Sequence, residues 1–223
     1  MNESAIVCYP FFSLQDVLDL MTERHPTPGK DEIALLDPFD RLSLSQIEVI
    51  THAEQAAAAL AHLSTCTALG FDTESKPTFT RDEVSEGPHI VQLATLERGY
   101  IFQLLDDACL NAVAKLLEAP GIVKAGFGLG DDRKRIISKL GVDPQAVLDL
   151  NTEFRARGYR KDMGVRGAVA VLFNRRFIKS RKATTSNWAN TRLSDSQVIY
   201  AGNDAYAALR VFNALGLQGA SQA

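Results

Sequence analysis

Cysteine is scarce in this sequence: Cys8, Cys66 and Cys109 are the only three in 223 residues. An odd number at scattered positions makes neither a disulfide framework nor a zinc-ligand spacing. Free thiols in a reducing cytoplasm are the expectation. Long apolar runs are missing too, which leaves no candidate for a bilayer-spanning helix. Met1-Asn2-Glu3-Ser4 opens the chain without a basic stretch, so no secretory leader is expected. Positive charge is not in excess. Lys and Arg total 24 against 27 Asp and Glu, a net charge of −3, which does not describe a general polyanion binder. The four histidines (His25, His52, His62, His89) form no i, i+4 pair, and no G-x-S-x-G occurs. A histidine-held metal and a covalent hydrolase are therefore poorly supported.

What is present is an ordinary globular composition, 46% hydrophobic and 23% charged. The charge is uneven along the chain. Residues 1–60 carry ten acidic and three basic side chains, whereas 155–182 carry ten basic ones and Asp162 as the single acid. A solvated surface and a basic face for an anionic partner both fit that asymmetry.

Residues 1–45 read as an N-terminal extension of unknown function, with a short amphipathic helix over 12–21 and a break at His25-Pro26-Thr27-Pro28. Regular structure begins at Ile47. The pattern predicts a strand at 47–50 and a helix capped by a Thr51/Glu54 box. A strand over 68–71 follows, then a hairpin of 90–94 with 100–102. A helix over 106–117, a strand over 121–125 and a helix to Leu140 come next. The remainder is mostly helical. Mixed strands and helices argue for an α/β fold: a mixed sheet, antiparallel hairpin plus parallel strands, flanked by helices.

Three places carry chemistry. Leu69-Gly70-Phe71-Asp72-Thr73-Glu74 ends an apolar run in two carboxylates one residue apart. Alternation along a strand puts Asp72 and Glu74 on one face and Thr73 on the other. Adjacent carboxylates repel unless a cation or a proton intervenes. Gly126-Phe127-Gly128-Leu129-Gly130-Asp131-Asp132 follows a strand and opens a helix, as a dinucleotide loop does. Asp131 stands where the third glycine belongs, and its charge would repel a pyrophosphate. A tight turn delivering an aspartate to a helix N-terminus remains. The Asp132-x3-Ile136 spacing places Asp132 on the buried face and leaves Asp131 toward solvent with Arg135. Late in the chain, Tyr200 and Asp204 share a face of a helix rich in small residues, over 193–211. Taken alone, a hydrogen-bonded Tyr–Asp pair that fixes helix packing is the preferred reading of these two.

Taken in order, Asp72-x-Glu74, Asp132 and Tyr200-x3-Asp204 resemble the three exonuclease motifs of the DEDD superfamily, in the branch that carries Tyr. Gly70 to Lys76, Val91-Gln92-Leu93-Ala94, Lys179-Ser180, Ser186-Asn187-Trp188 and Gln197 through Ala205 resemble the RNase D and Werner-type 3′–5′ exonuclease domain. The resemblance covers 46–216 and leaves 217–223 as a short tail, which suggests a stand-alone domain. It implies an RNase H-like fold and 3′–5′ hydrolysis of DNA or RNA to nucleoside 5′-monophosphates. A catalytically silent nucleic-acid-binding module on that fold is the alternative. It also implies two divalent ions, Mg²⁺ or Mn²⁺. Asp72, Glu74 and Asp204 would hold the first ion. Asp72 would bridge to the second, which Asp132 would hold through water, and Tyr200 would orient the attacking water. The basic run, with Lys179, Arg181 and Lys182, would then follow a phosphate backbone. Trp188 would stack on a base or pin its loop, and packing is the favoured of the two. Phe79 would wedge at the terminal nucleotides. Thr73 would offer its backbone to the last nucleotide.

Overall fold

The structure is a computed structural model that describes residues 25–78, 86–159 and 161–218. Its centre is a six-stranded sheet in the order β1-β4-β3-β2-β5-β6. The strands are β1 (Ile47–Ile50), β2 (Ala68–Glu74), β3 (Ile90–Ala94), β4 (Gly99–Gln103), β5 (Val123–Gly126) and β6 (Val147–Asp149). β2, β3 and β4 are antiparallel neighbours. The outer pairs β1–β4, β2–β5 and β5–β6 are parallel. This is the expected mixed sheet, with the expected hairpin in register from Ile90↔Gln103 to Ala94↔Gly99. β6 has no counterpart in the sequence reading. Three residues are too few to show a strand period.

The helices are α1 (Lys30–Ala34), α2 (Ala53–Leu63), α3 (Asp107–Glu118), α4 (Gly130–Leu140), α5 (Leu150–Ala156), α6 (Gly164–Phe173), α7 (Arg181–Thr184) and α8 (Asp195–Ala214). Among the described residues no helix is long and apolar enough to cross a membrane. One core cluster joins Leu69, Phe71, Leu93 and Phe102 with residues of α2, α3 and α4. The other joins Ile90, Ile101 and Ala125 with α5, α6 and α8. Each strand of the sheet's centre is thus covered on both faces, and its side chains divide by the period of two.

The expected capping box of α2 is not formed. His52 is the N-cap, and the Thr51 amide donates instead to Gln55 Oε1 at 3.0 Å. Gln55 reaches the same donor from one residue further on, so Glu54 is not needed there. Side-chain caps form at other helices. Asp106 accepts from the Ala108 amide at 2.8 Å, and Ser194 with Gln197 makes a capping box at the start of α8. The four-carbon stem of Lys124 on β5 lies buried, and its ammonium donates to the Ala119 carbonyl at 2.7 Å, just past the end of α3. The negative end of the helix dipole favours a cation there.

Burial lowers the Lys124 pKa to about 8, from an ordinary value of 10.5. Between these two values the unfolded chain holds the proton and the native chain has lost it, so this group's contribution to stability rises with pH. The stability difference between wild type and Lys124→Met is therefore expected to move in favour of wild type from pH 8 to 10.5. Urea melts across that window measure it, and a pH-independent difference would contradict the assignment.

Residues ahead of β1 pack onto the domain. The Leu42 amide donates to Asn203 Oδ1 at 2.8 Å, and Asn203 Nδ2 returns to the Leu42 carbonyl at 3.1 Å. The Phe39 amide donates to the Arg176 carbonyl at 3.0 Å and the Arg176 amide to the Asp37 carbonyl at 2.7 Å, and Arg210 lies over the Phe39 ring at 5.3 Å. The helix read for 12–21 lies outside the described residues.

Candidate active site

The site forms where the end of β2 meets the buried helix α8. Gly70, Asp72 and Glu74 face α8, while Leu69, Phe71 and Thr73 face the other way. A Cβ at Gly70 would stand 1.9 Å from the Ala205 carbonyl oxygen. The missing side chain lets α8 lie directly on β2 and brings Asp204 against Asp72. Gly202 permits a similar approach over β1, where a Cβ would meet Ile47 at 2.7 Å.

Asp72, Glu74 and Asp204 each present a carboxylate oxygen within 4.8 Å of the others. Their charges are mutually unfavourable. Burial, then Asp204, Glu74 and Asp132, push Asp72 well above the ordinary carboxylate range. Burial, then Asp204, raise Glu74 to about 7. Burial raises Asp204 as well, against the pull of Lys179. Asp204 Oδ1 is buried without a hydrogen-bond partner. Three hard oxygen donors with one orphaned oxygen among them fit a divalent cation of the Mg²⁺ type.

Tyr200 sits one turn before Asp204, close enough to Asp204 and Glu74 to feel both charges. Burial, then those two carboxylates, raise its pKa far above the ordinary phenol value, so it keeps its proton.

Asp132 comes from the first turn of α4, on the opposite face of the sheet. Thr73 Oγ1 donates to Asp132 Oδ1 around the end of β2. Asp132 is half-buried, and Asp131 is exposed, in line with the reading of the doubled aspartate. The expected partner of Asp131 is corrected. Lys134 pairs with it at 3.2 Å, whereas Arg135 donates to Ser75 Oγ at 3.3 Å. Both spacings are allowed on a helix, and Ser75 at the end of β2 draws Arg135 away.

The residues expected to bind nucleic acid separate. Trp188 is buried, with its ring 5.9 Å from that of Tyr200, so it packs and offers no face to a base. Its loop is tied to α8 by Gln197, which donates to Ser186 Oγ at 3.0 Å and to the Asn187 carbonyl at 3.3 Å. Thr73 is buried and spends its amide on Asp72 Oδ1 at 2.9 Å and its hydroxyl on Asp132. Lys182 is exposed. Arg181 opens α7. Phe79 lies outside the described residues. Lys179 is inside the site: its ammonium is 3.0 Å from Asp204 Oδ2 and 5.1 Å from the centre of the Tyr200 ring.

A cavity of about 380 Å³ opens beside these groups, lined among others by Asp72, Lys179, Asp204, Phe127, Asn151 and Met163. Asn151 carries no local signal in the sequence. Its Oδ1 accepts from the Gly164 amide at 3.1 Å and holds the start of α6 at the cavity wall. Gln92, directly opposite Asp72 on β3, is fully buried with both amide atoms unpaired. The signal for it was a glutamine inside an otherwise apolar strand.

The sequence profile of the 3′-5′ exonuclease family matches residues 47–220. The bifunctional 3′-5′ exonuclease/ATP-dependent helicase WRN of Mus musculus is 27% identical over 151 residues, 66% of this chain and 11% of that protein. A 3′-5′ exonuclease of Arabidopsis thaliana is 25% identical over 150 residues, 66% of this chain and 52% of that one. The chain thus spans about half, or less, of these relatives' length. Among solved structures, the Aedes aegypti Nibbler EXO domain superposes with a TM-score of 0.68 at 23% identity, covering 80% of this chain and 90% of that one. Trypanosoma brucei RNase D in complex with RNA U12 gives 0.67 at 22%, covering 76% and 62%. These two establish the shared fold, that of the RNase H-like exonuclease domains. The profile match spans most of the chain: it belongs to the 3′-5′ exonuclease family.

Proposed function

We propose that this protein removes nucleotides one at a time from the 3′ end of a nucleic acid and releases nucleoside 5′-monophosphates. The observation that carries the reading is the Asp72–Glu74–Asp204 cluster, with its orphaned Asp204 oxygen, in a chain of the exonuclease family. Asp72, Glu74 and Asp204 would hold one Mg²⁺ or Mn²⁺, and Asp72 with Asp132 a second. When bound, two such ions supply an activated water and charge stabilisation at the leaving oxygen.

The chain's own residues do the rest. Tyr200 keeps its proton and orients the attacking water through its hydroxyl. Thr73 fixes the carboxylate of Asp132. The cavity, with Phe127 and Met163 in its wall, is large enough to take a terminal nucleotide. Lys161 and Arg166, exposed on either side of cavity residues 162–165 in sequence, and Lys182 would hold the strand by its phosphates without reading its bases. Water adds across one bond. Its oxygen joins phosphorus, the P–O3′ bond breaks, and the shortened strand leaves with a 3′-hydroxyl.

The test offers one sequence as single- and double-stranded DNA and RNA, with Mg²⁺, Mn²⁺ or chelator, and identifies the products by chromatography. Nucleoside 5′-monophosphates that appear only with metal are expected. Nucleoside 3′-monophosphates, or undiminished release in chelator, would overturn the reading.

A further inference from the structure

Asp204 meets two demands that conflict. It is buried, and a divalent ion would need its oxygens, yet Lys179 already sits on Oδ2 at 3.0 Å. The other oxygen, Oδ1, has no partner. The ammonium therefore fills part of the space where a ligand of Oδ2 would stand, and it is the single side-chain cation paired with the Asp72–Glu74–Asp204 cluster among the described residues. A divalent ion on the free Oδ1 and an ammonium on Oδ2 of the same buried carboxylate would repel each other strongly. Lys179 has somewhere to go. It is half-buried, lies on the wall of the 380 Å³ cavity and carries a flexible stem. Its main chain is held in place, since Ser180 caps α7 by accepting from the Ala183 amide at 3.3 Å. The side chain can swing while its root stays fixed.

We propose that Lys179 is an exchanging cation, a further catalytic residue of this site. In the metal-free protein it pairs with Asp204. When a divalent ion takes Asp204, the ammonium turns into the cavity and donates to a non-bridging oxygen of the scissile phosphate. No bond to Lys179 forms or breaks; it moves charge to where the transition state gathers it. The inference rests on the exonuclease reading above, and it assigns Lys179 a role in turnover rather than in general strand affinity.

The test uses the full chain and the variants Lys179→Met and Lys179→Arg. Mn²⁺ affinity is measured by titration calorimetry without nucleic acid. Lys179→Met is expected to bind Mn²⁺ about tenfold more tightly, because no resident cation has to be displaced. Cleavage of a 5′-labelled oligonucleotide at saturating Mn²⁺ is expected to lose about a hundredfold in kcat, with KM within about threefold. Lys179→Arg keeps the charge and should fall between. A lysine that only props up Asp204 gives the opposite metal result: Lys179→Met binds Mn²⁺ more weakly. That outcome, or an unchanged kcat beside an active wild type, overturns the proposal. If the Met variant does not fold, Lys179→Gln serves in both measurements. Failure of the exonuclease reading itself shows separately, as a wild type that cleaves nothing.

Discussion

Asp72→Asn is expected to reduce 3′–5′ exonuclease turnover by about a thousandfold or more. The change keeps the shape of the side chain and removes the charge shared by both expected ions, so the loss reports on charge and not on packing. Its effect on stability runs the other way. Asp72 stands beside Asp204, Glu74 and Asp132, all of which disfavour its ionised form. Without a cation, the variant should melt at the same temperature as wild type or higher. Mn²⁺ should raise the melting temperature of wild type and raise that of the variant far less, because binding stabilises only a protein that binds. Melting curves with chelator and with Mn²⁺, beside initial cleavage rates, separate the effects. Full activity would remove Asp72 from the mechanism. Lost activity together with a melting temperature several degrees lower would mean that Asp72 serves the fold.

Gly70→Ala tests the packing beneath that chemistry. The new methyl would stand 1.9 Å from the Ala205 oxygen and 2.7 Å from its carbonyl carbon. Both are main-chain atoms of a buried helix, so α8 must shift away from β2. Overpacking of this kind costs about 1–3 kcal/mol, or roughly 3–10 °C in a domain of this size. Activity should fall further than stability requires, since Asp204 is the residue next to Ala205 and moves with it. Gly121→Ala is the control, because a Cβ there meets nothing within 4 Å. Equal melting temperatures for wild type and the two variants would contradict the close contact of α8 with β2.

The residues that order the site were legible where they followed a local period. Asp72 and Glu74 share a strand face by alternation, and Tyr200 and Asp204 share a helix face one turn apart. Both relations hold because they depend on backbone geometry alone. Asp132 was separable from Asp131 by its spacing to Ile136, which is fully buried. Partners set by folding at a distance were not legible. Lys179 is 25 residues from Asp204, and nothing local to either predicts their contact. Asn203 meets Leu42 across 161 residues. Packing is already the favoured reading of Trp188 in the sequence, and its burial against Tyr200 bears that out. In the fold, the hairpin and the long helices carried clear patterns. β6, at three residues, and the cap of α2, where Gln55 replaces Glu54, did not.

The most direct test is a time course of a 5′-labelled single-stranded oligonucleotide with wild-type protein and Mn²⁺, read on a sequencing gel. A ladder that shortens one nucleotide at a time from the 3′ end and is absent in chelator is expected. A full-length band that persists with every metal and strand type, or a single internal cut in place of a ladder, would contradict it.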